Sequence, residues 1–205
     1  LSKKYRIKNK NKNKKKYLLN FTNRFNDLES CNIYIITLPT PLDKKNLPDL
    51  SDIINISKQI SKILKKNDLI IYESTVFPGA TEEIFLPQLK KFNNLKLNKD
   101  FWIGYSPERI NPGDRKHELS NIVKITSASN KVGLKKVNAI YSKIIKAGLH
   151  QVDNIKIAEL SKVLENTQRF VNIALINEIS VLCNKLSINS TKVLNAASTK
   201  WNFIN

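Results

Sequence analysis

The sequence predicts an α/β fold, a parallel sheet followed by a region built on one long helix. Three observations carry this. Short β-branched apolar runs alternate with stretches of helical spacing, the pattern of βαβ units. Several runs end in polar loops bearing Pro, Ser or Thr. From about residue 154 the alternation stops, and a helical pattern without Gly or Pro continues to about residue 186.

The chain opens on a basic stretch, and residues 3–16 read KKYRIKNKNKNKKK. A Lys/Asn run cannot bury apolar surface and is expected to stay outside any packed core. Next, 32–38 (NIYIITL) reads as a buried strand of a parallel sheet. It stops at Pro39-Thr40-Pro41, where proline ends the ladder. Asp49 or Ser51 caps a helix whose Leu50, Ile53, Ile54, Ser57, Ile60 and Leu64 share one face. Asn67-Asp68 turns the chain into a second buried strand, Leu69 to Tyr72, which ends in Glu73-Ser74-Thr75.

Pro78-Gly79 breaks the chain again, and a short helix is expected over 80–91. A third strand, Phe101 to Tyr105, runs into Ser106-Pro107-Glu108-Arg109. A fourth is read at 122–126 and a helix at 129–145. The long helix of 154–186 suits a connecting or interface element, and a shorter one starts near Ser190 or Thr191. The resulting division is 1–20, 21–153 and 154–205.

A chain of 205 residues, 41% of them hydrophobic, can bury one domain and part of another. It has no run of 18 apolar residues to span a membrane. The basic start has no apolar stretch after it, so it does not read as a signal peptide. Methionine is absent even at the start, and a piece of something longer is expected. The net charge of +18 raises a nucleic-acid arm as one reading. Lys and Asn also crowd later loops such as KKFNNLKLNKD, and no aromatics interleave with the basic residues. Compositional drift is therefore favoured, and no nucleic acid is expected as a partner. Cys31 and Cys183, both in apolar surroundings, read as buried thiols in a reducing cytoplasm. His117 and His150 show no metal-ligand spacing, and no metal site is expected.

Three strands ending in polar loops point to one cleft, because open parallel sheets bind ligands beyond the carboxyl ends of their strands. Lys162, Asn166 and Arg169 are offset by 0, 4 and 7 and share a helix face, with Glu159 a turn earlier. Such a stripe is either a solvated face of i,i+4 pairs or a face turned to a cleft or partner. The apolar remainder of the helix (Val163, Leu164, Val171, Ala174, Leu175, Ile179, Leu182) favours the second. The segment from Asn111 to Asp114 is a turn, and Arg109 before it could hold a substrate anion in a forked contact.

TLPTP at 37–41, ESTV at 73–76, YSPERINPGD at 105–114, AELSK at 158–162, ENTQR at 165–169, NIALINE at 172–178 and STKWNF at 198–203 together resemble the UDP-glucose/GDP-mannose dehydrogenase family. The branch most resembled acts on UDP-N-acetylglucosamine or UDP-N-acetylgalactosamine. The likeness runs in order from about Phe21 to Asn205. It implies a Rossmann-like NAD domain, incomplete here, then a central helical domain, and a homodimer formed through the long helix. It also implies NAD-dependent oxidation of the C6 alcohol of a UDP-N-acetylhexosamine to the uronic acid, for polysaccharide synthesis. In that family an aldehyde forms, a cysteine traps it, and the thioester is hydrolysed. Thr40 and Thr75 would then contact NAD, with Thr75 also placing water. Glu108 would be the general base. Lys162 and Asn166 would stabilise the oxygen at C6. Arg109, Ile110, Lys162, Asn166 and Arg169 would contact the nucleotide sugar.

The departures are as specific. The sequence holds five glycines and no GxGxxG turn, and it stops before the family's cysteine segment. Neither Cys31 nor Cys183 matches that nucleophile. The expectation is a partial chain that binds NAD poorly and does not reduce it alone. The alternatives are a dimerising, non-catalytic protein of the same fold and a basic nucleic-acid binder built on it.

Overall fold

The computed structural model describes residues 20–111, 113–114 and 117–203. The basic run 3–16 and Pro112 lie outside the described residues. The chain forms two units, 1–31 and 32–205. In the first, the described part holds one 3-10 turn, Phe25–Leu28. Thr22 and the Arg24 guanidinium both engage the Asp27 carboxylate there.

The second unit holds a five-stranded sheet. In chain order the strands are β1 (Ile33–Ile36), β2 (Leu69–Tyr72), β3 (Trp102–Tyr105), β4 (Lys124–Ala128) and β5 (Leu149–Gln151). They lie side by side in that same order. Helix α1 (Ser51–Ile63) links β1 to β2, and Asp49 accepts the Ser51 N–H at 2.9 Å at its start. A π-helical turn (Ala80–Phe85) and the short α2 (Leu86–Leu89) link β2 to β3. Helix α3 (Lys131–Tyr141) links β4 to β5, and Asn130 accepts the Gly133 N–H at its start. The sheet gives way to α4 (Ile155–Lys185), capped by Asn154, and α5 (Ser190–Ala197), capped by Asn189. At 1.5 Å per residue α4 is about 46 Å long.

Both faces of the central strands are covered. Leu69, Ile71 and Trp102 pack with Val137 and Tyr141 of α3. On the opposite face Tyr72 stacks on Phe85, with ring centroids 4.9 Å apart, and its hydroxyl meets Ser57 of α1 at 2.8 Å. Gly104 lets α3 lie close to β3, since a Cβ there would stand 2.7 Å from Val137.

The structure corrects four expectations. The sheet is not wholly parallel, for β3 and β4 run antiparallel. The 106–123 connection contains only the 3-10 turn Leu119–Asn121, so no helix carries the chain to the other end of the sheet. The fourth strand is accordingly shifted to Lys124–Ala128, and β5 follows it in parallel. Strand β1 is buried on one face only: Tyr34 and Ile36 are covered, whereas Ile33 and Ile35 are 48% and 44% exposed, because α3 reaches β2 to β4 and stops short of β1. Cys183 is buried, but Cys31 is half-buried. Finally, α4 is not a largely buried helix. Its first turns pack against β3 and β4. Beyond them Leu164, Val171, Leu175 and Leu182 are at least half exposed.

Candidate active site

The loops after β1, β2 and β3 meet at the carboxyl edge of the sheet. Ser74 donates to the Leu38 carbonyl at 2.6 Å, and the Thr40 hydroxyl donates to the Thr75 carbonyl at 2.9 Å. These two bonds lock the first loop to the second. A cleft of about 330 Å³ lies between them, lined by residues 37–40, 73–75 and Glu108. That is the lower end of the size range of small-molecule sites. The strand-end threonines and Glu108 therefore share one cavity, as the sequence suggests. Thr75 is exposed in it, while Thr40 and Glu108 are half-buried.

The Glu108 carboxylate is aimed by its own backbone. One oxygen accepts the N–H groups of Arg109 at 2.6 Å and Ile110 at 2.7 Å. Glu108 thus lines the cleft with its carboxylate held at one oxygen. Arg109 is already engaged: Nη2 meets Glu165 of α4 at 2.7 Å and Nη1 donates to the Val123 carbonyl at 2.8 Å. Its forked contact here is thus to the protein, and the bridge ties the Glu108 loop to α4. Ile110 is 38% exposed beside it.

On α4, Lys162 is half-buried. Burial pulls its ammonium below the usual lysine range, while the charges of Glu165 and Glu108 push back. Lys162 therefore lies within electrostatic reach of Glu108. Asn166 accepts from Arg169 Nη2 at 2.6 Å. Arg169 faces a separate open groove of about 540 Å³ along α4, shared with Glu165, Asn172 and Asn177.

Three residues of this region were not given roles from sequence. Glu159 is fully buried and accepts the N–H groups of Gly79 and Thr81 at 2.6 and 2.9 Å. Its placement on the polar stripe was visible, but its partners were not. Buried Lys124 and half-buried Glu73 form an ion pair at 3.2 Å. The available signal was a lone lysine inside a β-branched strand, which demands a counter-charge.

Helices on both faces of an open, mostly parallel sheet, with polar loops meeting at the carboxyl ends of its strands, define a nucleotide-binding α/β protein of the dehydrogenase type. Residues 6–145 match the NAD binding domain of the UDP-glucose/GDP-mannose dehydrogenase family, and residues 156–205 match that family's central domain. The chain belongs to the UDP-glucose/GDP-mannose dehydrogenase family. It is 52% identical over 186 residues to a UDP-N-acetyl-D-glucosamine 6-dehydrogenase of Pseudomonas aeruginosa, covering 91% of this chain and 44% of that protein. A protein of the same description from Salmonella typhi is 47% identical over the same shares. Among solved structures, a UDP-D-ManNAc dehydrogenase from Pyrococcus horikoshii superposes with a TM-score of 0.83 at 31% identity, over 89% of this chain and 43% of that one. The chain thus spans under half the length of these relatives.

Proposed function

We propose that this chain forms the base- and oxyanion-handling part of an NAD-dependent 6-dehydrogenase acting on a UDP-N-acetylhexosamine. The observation that carries this reading is the convergence of Thr40, Thr75 and Glu108 on one cleft with Lys162 in electrostatic reach. The activity of the two UDP-N-acetyl-D-glucosamine 6-dehydrogenases that this chain resembles supports the substrate class.

The residues fit one end of a dinucleotide. The cleft offers threonine hydroxyls and loop backbone at the strand ends. Gly79, at the turn after β2, gives its N–H to Glu159, and Gly104 is committed to packing against α3, so neither is open to a phosphate. Thr40 and Thr75 would hold the bound end. The chemistry supplied by NAD at this end of the cleft would be that of a hydride acceptor for C6.

The rest falls to the chain's own groups. Lys162 donates to the C6 oxygen as negative charge develops there, and its lowered pKa suits a partly desolvated donor. Asn166 adds a neutral donor beside it. In the thioester hydrolysis that the family likeness implies, Glu108, oriented by the Arg109 and Ile110 amides, would take a proton from the attacking water, which adds the second carboxylate oxygen as the thiol of the family's cysteine leaves. Thr75 helps to place that water. Arg109, Ile110 and Arg169 flank the nucleotide sugar.

The same reading makes 154–205 the beginning of a central helical domain and α4 the seam of a homodimer. Leu160, Leu164, Val171 and Leu175 share one face of it and are each at least half exposed, and Phe170 is exposed at the side. So long an apolar strip on one helix calls for a cover, and a second copy supplies a matching strip. Among the described residues no helix is long and apolar enough to cross a membrane. A cytoplasmic location fits a nucleotide-sugar substrate and two cysteines kept as thiols.

Calorimetric titration of the chain with UDP-N-acetylglucosamine tests the reading. Binding weakened about tenfold or more by Lys162→Met, a loss of about 1.4 kcal/mol, is expected. Equal affinity in parent and variant would contradict it.

A further inference from the structure

Lys124 is 3% exposed within β4. Its ammonium lies 3.2 Å from Glu73 Oε1, 3.4 Å from the carbonyls of Ser106 and Pro107, and 4.9 Å from the centre of the Tyr141 ring. The Tyr141 hydroxyl donates to the same Glu73 oxygen. Burial, and then the Glu73 charge, raise the Tyr141 pKa, which keeps it a donor.

Such a cluster is poorly explained by stability alone. A buried ion pair is often matched or bettered by apolar side chains of similar volume. Its position suggests another reason. The two carbonyls that Lys124 takes belong to the residues just before Glu108. The carbonyl of Glu73 accepts the Glu108 N–H at 3.4 Å. The cluster therefore grips the backbone on the approach to Glu108 and at Glu108 itself. Glu73 also lines the same cleft as Glu108.

We propose that Lys124, with Glu73 and Tyr141, is the positioning device for Glu108: it fixes the 106–108 backbone so that the Glu108 carboxylate stays in the cleft with Thr40 and Thr75. None of the three needs to touch substrate. The inference rests on the reading of Glu108 as the base, which makes its orientation matter.

The test needs no ligand. Glu108 holds the Arg109 and Ile110 amides, so their NMR hydrogen-exchange protection reports its placement. The full chain is compared with Lys124→Met, Lys124→Arg and the double variant Lys124→Met/Glu73→Gln, which leaves no unpaired buried charge. Lys124→Met should lower the exchange protection of both amides about tenfold or more, while Ile70 and Ile71 in β2 keep their shifts. Lys124→Arg should restore it. Should the single variant not fold, the double variant is expected to fold and show the same loss.

Folded Met variants with parental Arg109 and Ile110 amide protection would overturn the proposal. So would unfolding of both, since the cluster would then serve the whole domain rather than one loop. A failure of the base reading looks different: the amide protection is present in the parent and lost in Lys124→Met, but UDP-N-acetylglucosamine and NAD leave Glu108 unmoved.

Discussion

The carboxylate of Glu159 reaches across 80 residues of sequence to accept the N–H of Gly79 at 2.6 Å. A second bond, from Thr81, comes at 2.9 Å. Gly79 has φ 97°, the left-handed region, at the turn that follows the Thr75 loop. Glu159 stands one turn before Lys162 on α4. One side chain thus fastens the oxyanion-side helix to the loop that carries Thr75.

Glu159→Ala leaves two buried N–H groups without an acceptor. Each bond to a charged group is worth roughly 1.5–3 kcal/mol. Burial raises the Glu159 pKa, so part of that gain is spent on desolvation. A net loss of about 3 kcal/mol is expected, which for a chain of this size lowers Tm by roughly 6–12 °C. Chemical and thermal denaturation check this, and a loss below about 1 kcal/mol would show that the bonds are weak.

Lys162 yields a pH prediction. Burial lowers its folded pKa below the ordinary 10.5. Between the folded and unfolded values the unfolded chain binds the extra proton, so stability rises with pH through that window. The gain is full above the unfolded value and is lost as pH falls through the folded one. Lys162→Met should remove this alkaline rise and be more stable than the parent near neutrality. Denaturant titrations at a series of alkaline pH values read it directly; an unchanged slope would mean that Lys162 ionises as a solvated lysine.

The exposed strip of α4 predicts association. Leu164 is 66% exposed and Phe170 67%, so replacing either costs the isolated fold little. Leu164→Glu or Phe170→Asp should convert a dimer to a monomer in light scattering, with the helical signal retained. A parent chain that is monomeric at high concentration would remove the seam from the account.

Strong periodicity made some elements plain in the sequence. Strand β2 falls at Leu69–Tyr72 as read, and α4 starts after Asn154, because a good cap precedes a long apolar-rich helical run. Strand β5 (Leu-His-Gln) is three residues without an apolar pattern and owes its conformation to pairing with β4. The reversal at β3/β4 was hidden because strand direction is set by where the 106–123 loop returns. For the site, the motifs brought Thr40, Thr75 and Glu108 to one edge correctly. Arg109 as a held rather than free guanidinium, and Glu159 as a cap for distant amides, depend on tertiary neighbours that spacing cannot show.

The most direct test maps NAD and UDP-N-acetylglucosamine together onto the chain by amide chemical-shift perturbation. The account predicts shifts at Thr40, Thr75 and Glu108, and at Lys162, Asn166 and Arg169 on α4. Shifts confined to surfaces away from the carboxyl edge of the sheet, or none with both ligands present in excess, would contradict it.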